Sequence, residues 1–166
     1  MIYLRKILIT TDLSDYSLAA VEYASSFGLL YSSKLYLLHV VDPAAPILVI
    51  PGLEVNGATH MQQVVEQGRR ELEGFVAKQI NHDLKILPVV VAGTPAEEIK
   101  RFAEEEGIDL IVLATHGRTG LRHIVMGSVA ERVVRLSSVP VLTVKPHPFR
   151  EAIIEKADIE SELHLR

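Results

Sequence analysis

Between Leu110 and Ala130 the chain carries no acidic residue, whereas Arg118 and Arg122 are positive and His116 and His123 can become so. That asymmetry suits an anion. Gly117, Gly120 and Gly127 in the same stretch permit close backbone approach and positive φ angles that a side chain resists. The run "GSVA" (127–130) lies where a helix is expected to begin, so free N–H groups and the positive end of the helix dipole would face whatever sits before it. Ser128 adds a hydroxyl. These are the parts of a phosphate cradle made mostly from backbone. Each also has a plainer use, since the glycines can shape a loop, Ser128 can cap a helix and the arginines can be solvated loop charges.

Elsewhere the chemistry is sparser. Asp12, after "KILITT" (6–11), reads either as a turn residue or as a polar anchor for a ligand's sugar or base, with Ser14 and Asp15 as competing caps. Thr10 and Thr11 read as packing residues at a strand end. His39 lies inside an apolar run and reads as a buried, hydrogen-bonded histidine. His60, His82, His147 and His164 have no ligand spacing, so a histidine metal site is unsupported. Several familiar devices are excluded: there is no G-x-x-x-x-G-K-[ST] loop, no G-x-G-x-x-G after the first strand and no G-x-S-x-G elbow. A response-regulator receiver fits Thr115 and Lys145-Pro146 but fails because "VVVAGT" holds no phosphorylatable Asp.

The elements that must position these residues are legible as short apolar runs alternating with helix-length amphipathic segments. "KILITT" (6–11), "KLYLLHVV" (34–41), "LKILPVVVA" (84–92), "DLIVLAT" (109–115) and "PVLTV" (140–144) read as strands, and their near-continuous apolar character predicts a parallel sheet covered on both faces. Ser14 is expected to cap a helix over 15–31, with Leu18, Val21, Ala24 and Gly28 on its buried side. A second helix over 58–80 would bury Met61, Val64, Val65, Leu72, Phe75, Val76 and Ile80. "TPAE" (94–97) reads as a capping box that opens a third helix ended by Gly107, and a fourth runs from near Ser128 to Leu136. The sum is an open, doubly wound, five-stranded α/β sheet with helices on both faces. Ligands bind such sheets beyond the carboxyl ends of the strands, which selects "TTDLSD", "VVDP" and the stretch after strand four.

At 166 residues this is the size of one domain, expected over 1–146 with a tail at 147–166. A net charge of −4 gives no nucleic-acid surface, so any basic site is local. With no cysteine, disulfides, thiolate metal sites and cysteine nucleophiles are ruled out. The apolar residues near the amino terminus are too few for a signal-peptide core, and no stretch approaches the ~20 apolar residues of a membrane span. A soluble, cytoplasmic protein is expected. The tail places Ile153, Ile154, Ala157 and Leu163 at roughly helical intervals, which predicts a short helix docked on its own or a neighbouring subunit. The proline-broken loop over 43–57 is open between lid, contact and self-packed segment.

Gly117 and the pair Gly127-Ser128 are separated by the nine residues 118–126. With "KILITTDLSDYSLAAVEYA", "LYLLHVVDP", "GTPAEEI", "DLIVLATHGRTGL" and "SSVPVLTVKP", this spacing resembles the universal stress protein family over residues 3–146. The resemblance implies a Rossmann-like, adenine-nucleotide-hydrolase-like fold and binding of ATP, or of AMP or ADP, with Mg²⁺ or Mn²⁺ accompanying the nucleotide. It puts Thr10, Thr11 and Asp12 beside base or ribose, Val40 against adenine through its backbone, and Leu113 and Ala114 beside the ribose. His116, Gly117, Arg118, Gly127, Ser128, Val129 and Ala130 would surround the phosphates. It implies a homodimer paired antiparallel along strand 140–144. Two positions depart from the family's pattern. Ala114 stands where its first glycine falls, adding a methyl and resisting positive φ, and Ala130 lacks a hydroxyl that some relatives carry.

The expected function is therefore a nucleotide-binding stress-response or signalling protein with at most slow ATP hydrolysis. No carboxylate lies within 110–130, His116 is the candidate proton acceptor by position, and no catalytic residue is assigned. The alternative is a dimeric scaffold of the same family that works through protein partners without nucleotide, which Ala114 favours. An adenylyl-transfer or pyrophosphatase relative ranks last, because "TTDLSD" holds no glycine for a phosphate loop.

Overall fold

The computed structural model describes residues 2–42, 57–80, 85–115 and 126–146. His116, Gly117 and Arg118, the loop over 43–57 save its last residue, and the tail 147–166 with its expected helix lie outside them. Strands β1 (Lys6–Thr11), β2 (Lys34–Val41), β3 (Ile86–Ala92), β4 (Leu110–Ala114) and β5 (Val141–Val144) form one parallel sheet in the order β3-β2-β1-β4-β5. Helices α1 (Leu18–Tyr31), α2 (Gly57–Gln79), α3 (Pro95–Glu106) and α4 (Ser128–Leu136) connect them.

Alternation along the strands divides the interior in two. Ile7, Ile9, Leu35, Leu37 and Val112 face Val21 and Ala24 of α1 and Leu72 and Phe75 of α2. Leu8, Leu38, Ile111 and Leu113 face Ala96, Ile99 and Ala103 of α3 and Ala130 and Val133 of α4. Each strand thus carries apolar side chains on both faces, which is why the strands read as unbroken apolar runs. Strand order reverses between β1 and β4, and this is the switch point at which open α/β sheets take ligands.

The amino end of the sheet is tied down structurally. Asp109 accepts the Arg5 and Lys6 N–H groups at 2.7 and 2.9 Å, fixing β1 against β4. Pro88 sits on edge strand β3, where a missing N–H is tolerated.

Several local expectations need correction. The first helix does not begin at Asp15 under a Ser14 cap: a 3-10 turn over Asp15–Ser17 precedes α1, and Ser14 gives its hydroxyl to Asp12 Oδ1 at 2.6 Å. The capping box at 94–97 does not close. Thr94 makes no side-chain cap bond, and Glu97 instead pairs with Arg132 of α4 at 2.7 Å, so the tertiary partner wins over the local one. Gly107 does end α3, at φ 62°. The third strand starts at Ile86 rather than 84, the fourth is trimmed at both ends to Leu110–Ala114, and the fifth starts at Val141, Pro140 lying outside it. Met61 is exposed rather than buried. The cause lies in where α2 meets the sheet: a Cβ on Gly68 would stand 2.6 Å from Val41 Cγ2, so Gly68 is level with the end of β2. Met61, about two turns earlier, lies farther from that end than the half-buried Val64 and Val65.

Candidate functional site

β1 and β4 are neighbours, yet their pairing ends at Ile9↔Val112. Beyond that point β1 continues against β2 to Thr11↔His39, and β4 continues against β5 to Ala114↔Val144. Thr10 and Thr11 therefore have no ladder partner on β4, and Leu113 and Ala114 have none on β1. Val40 lies one residue beyond the last β1–β2 pair. The switch point is therefore the place where the two strands cease to pair, where an open α/β sheet has its crevice.

One wall is the turn after β1. The Thr11 hydroxyl accepts the Leu13 N–H at 2.9 Å and shares a hydrogen bond of 2.7 Å with Ser17 Oγ. Ser17 in turn donates to the Ser14 carbonyl at 2.7 Å, so its proton is spent and Thr11 is the donor between the two hydroxyls. Asp12 Oδ1 accepts both the N–H and the hydroxyl of Ser14, at 3.1 and 2.6 Å. Leu13 is driven to φ 66°, a left-handed conformation that costs a bulky residue ~1–2 kcal/mol and is held here by the bonds on either side of it. Thr11 is buried, and its carbonyl accepts His39 Nδ1–H at 2.9 Å, so His39 is a buried, hydrogen-bonded histidine that carries a proton on Nδ1. The Thr11 hydroxyl is thus consumed in shaping the turn that presents Asp12.

The opposite wall is the start of α4. Gly127 occupies the N-cap position at φ −66°, so positive φ is not what it supplies. Its N–H donates to the Thr115 carbonyl at 2.7 Å, and a Cβ there would stand 3.2 Å from that same oxygen. Glycine eases this close approach of helix start to strand end, since a Cβ would make the carbonyl give by a few tenths of an ångström. Because Gly127 has no side chain and no cap bond forms, the N–H groups of Ser128, Val129 and Ala130 find no partner among the described residues. Ser128 and Val129 are exposed at this end, while the Ala130 methyl is packed in the core beside Val133. Ser128 is the first helical residue rather than the cap.

The crevice thus gathers Thr10, Thr11, Asp12, Val40, Leu113, Ala114, Gly127, Ser128, Val129 and Ala130 at one edge of the sheet. Their parts differ from a simple list of contacts. Leu113 and Ala130 point side chains into the core and offer only backbone. Ala114 stands in the β4–β5 ladder with extended backbone, so the positive φ that would penalise alanine is not required of it. Ser17 and the Thr115 carbonyl are structural members that the sequence left unassigned, and Ser14 serves the Asp12 turn rather than a helix cap. A serine two residues after an Asp is the signal that could have found the Asx turn; nothing local announces the Thr115 contact. Asp12, Asp15 and Asp42 are carboxylates of this edge, but among the described residues no three histidine or acidic groups are placed to hold a metal ion.

A family model described as the Universal stress protein family matches residues 4–145. This chain belongs to that family. Universal stress protein MJ0577 of Methanocaldococcus jannaschii is 31% identical over 153 residues, spanning 85% of this chain and 94% of the relative. Universal stress protein MJ0531 of the same organism is 38% identical over 143 residues, spanning 85% and 82%. Among solved structures, that of MJ0577 superposes with a TM-score of 0.70 at 30% identity, covering 89% of this chain and all (100%) of that one. A universal stress protein solved in complex with cAMP has the same fold, with a TM-score of 0.56 at 23% identity over 87% of this chain and 99% of its own. No helix among the described residues is long and apolar enough to cross a membrane.

Proposed function

We propose that the crevice between β1 and β4 binds an adenine nucleotide, with the phosphates on the start of α4 and the nucleoside over the ends of β1, β2 and β4. The observation that carries this reading is the coincidence of the end of β1–β4 pairing at Ile9↔Val112 with the N–H groups of Ser128, Val129 and Ala130, which have no partner among the described residues. An anion at a helix start is favoured by both the free donors and the helix dipole. Asp12 would take a ribose hydroxyl or a base amine, and the backbone at Val40 the adenine edge. His116, Gly117 and Arg118 would complete the phosphate side. ATP is the preferred ligand over ADP and AMP, since a longer phosphate chain meets more of the α4 donors.

Mg²⁺ or Mn²⁺ would ride on the phosphates rather than on a protein ligand set, which fits the scatter of Asp12, Asp15 and Asp42. No carboxylate stands beside the α4 donors in 110–130, so binding, not hydrolysis, is the activity the site suits. Nucleotide occupancy would then act as a signal in a cytoplasmic stress response. We infer a homodimer paired along β5, which is an edge strand of the sheet among the described residues. The Ile111 N–H reaches the Pro140 carbonyl at 3.0 Å and the Thr115 N–H the Val144 carbonyl at 2.8 Å, so Val141 and Thr143 turn their peptide groups outward for a second copy.

Calorimetric titration of the full chain with ATP, ADP and AMP in Mg²⁺ tests the proposal. Saturable binding in the order ATP, ADP, AMP is expected. Absence of heat at millimolar nucleotide would overturn it and favour the scaffold reading, in which the methyl of Ala114 closes the ribose position.

A further inference from the structure

The outward side of α1 lacks the charges that an exposed helix normally shows. Glu22 is its single charged residue in fourteen, whereas α3 is charged along its outer side. Tyr23, Ser26 and Leu30 lie in line along α1 at helical spacing, with Tyr23 49% and Leu30 73% exposed, and Leu29 beside them is 76% exposed. Next to this stripe the sheet margin is thinly covered. α1 packs over β1, β4 and the near side of β5, and α4 goes to the other face, so Leu142 of β5 and Phe27 of α1 are only partly buried where they meet the core.

We propose that this surface is covered by the chain's own segment 147–166, folded as a helix that lies beside α1 over β5. The segment leaves β5 at Lys145-Pro146, at the carboxyl edge and on the flank of α1, so no crossover is needed to bring it there. Its 20 residues reach ~30 Å as a helix, enough to run beside the ~21 Å of α1 from its start toward Leu30. In a helix Ile153, Ile154, Ala157 and Ser161 fall on one side, bordered by Glu160 next to Ile153, with Glu151, Glu155, Asp158 and Glu162 on the opposite side. The small residues Ala157 and Ser161 suit close packing against the Tyr23 and Ser26 stripe. A helix after the last strand, on the face opposite α4, also completes the layer that α1 and α2 leave short. The inference stands apart from nucleotide binding, since neither surface includes the crevice.

The chain contains no cysteine, so a disulfide can be introduced without background. Full-length Ser26→Cys with Ala157→Cys is oxidised mildly and compared with Glu73→Cys with Ala157→Cys, in which Glu73 is an exposed residue of α2. The expected product is a cross-linked monomer of raised gel mobility, formed at least ~10-fold faster than in the control because the docked pair shares a high effective concentration. Adding Ile153→Asp and Ile154→Asp should return the rate to the control level. The proposal is overturned by equal rates in the two pairs, by cross-linking that the aspartates leave unchanged, or by a covalent dimer, which would assign the surface to a second copy.

Discussion

Gly127→Asp separates the two uses of the α4 start. Aspartate is a strong N-cap residue, and its carboxylate would accept the N–H of Val129 or Ala130, which here have no partner among the described residues. Replacing glycine by such a cap is worth a few tenths of a kcal/mol to the helix. Against this, the new Cβ stands 3.2 Å from the Thr115 carbonyl, which is itself held by the Gly127 N–H at 2.7 Å, so strand and helix must part by a few tenths of an ångström. The two effects nearly offset, and stability should change by less than ~1 kcal/mol. Nucleotide binding should respond far more. Hydrogen bonds to a charged group contribute ~1.5–3 kcal/mol each, so taking one or two donors from the phosphates while adding a negative charge costs at least ~3 kcal/mol. That is more than ~100-fold in affinity. Thermal melts paired with calorimetric titration of MgATP give both numbers. A variant that melts like the parent and binds ATP within about threefold of it would refute the assignment of phosphate to the α4 start.

Gly68→Ala places a methyl 2.6 Å from Val41 Cγ2, and overpacking of ~1–3 kcal/mol should exceed the ~1 kcal/mol gained in helix propensity; urea unfolding reads the net loss. Ala114→Gly should lower stability by ~0.5–1 kcal/mol and change ATP affinity less than about threefold, since extended backbone there needs no glycine. A tenfold gain in affinity would show instead that the methyl obstructs the ribose. Thr143→Pro removes an outward N–H from edge strand β5 and spares the bonds to β4, so sedimentation should show the dimer dissociating while the monomer stays folded.

What could be read from the sequence depended on how local each determinant is. The parallel sheet was legible because strands buried on both faces are apolar throughout, as in "KILITT" and "KLYLLHVV", and helix ends at Gly107 and Ser128 carry their own signals. The location of the crevice followed from strand order. Its walls did not, because they are made by contacts between distant segments. Glu97 abandons its expected cap for Arg132, thirty-five positions away, and Gly127 is favoured by the closeness of a carbonyl just past β4 rather than by its own φ. Leu13 gives no hint of its φ of 66°, which Thr11 and Asp12 impose by accepting the N–H groups of Leu13 and Ser14. Ala114 looked like a defect in the pattern while its backbone was unknown, and the β4–β5 ladder removes the conformational part of that objection.

Three amides at the start of α4 carry the phosphate assignment. In a ¹⁵N–¹H spectrum of the full chain, saturating MgATP should shift the resonances of Ser128, Val129 and Ala130 together with those of Asp12, Leu13 and Thr115, and leave Asp109 and Ile108 at the opposite edge unmoved. Saturation without movement at the α4 amides, or with the shifts at the amino edge of the sheet, would contradict it.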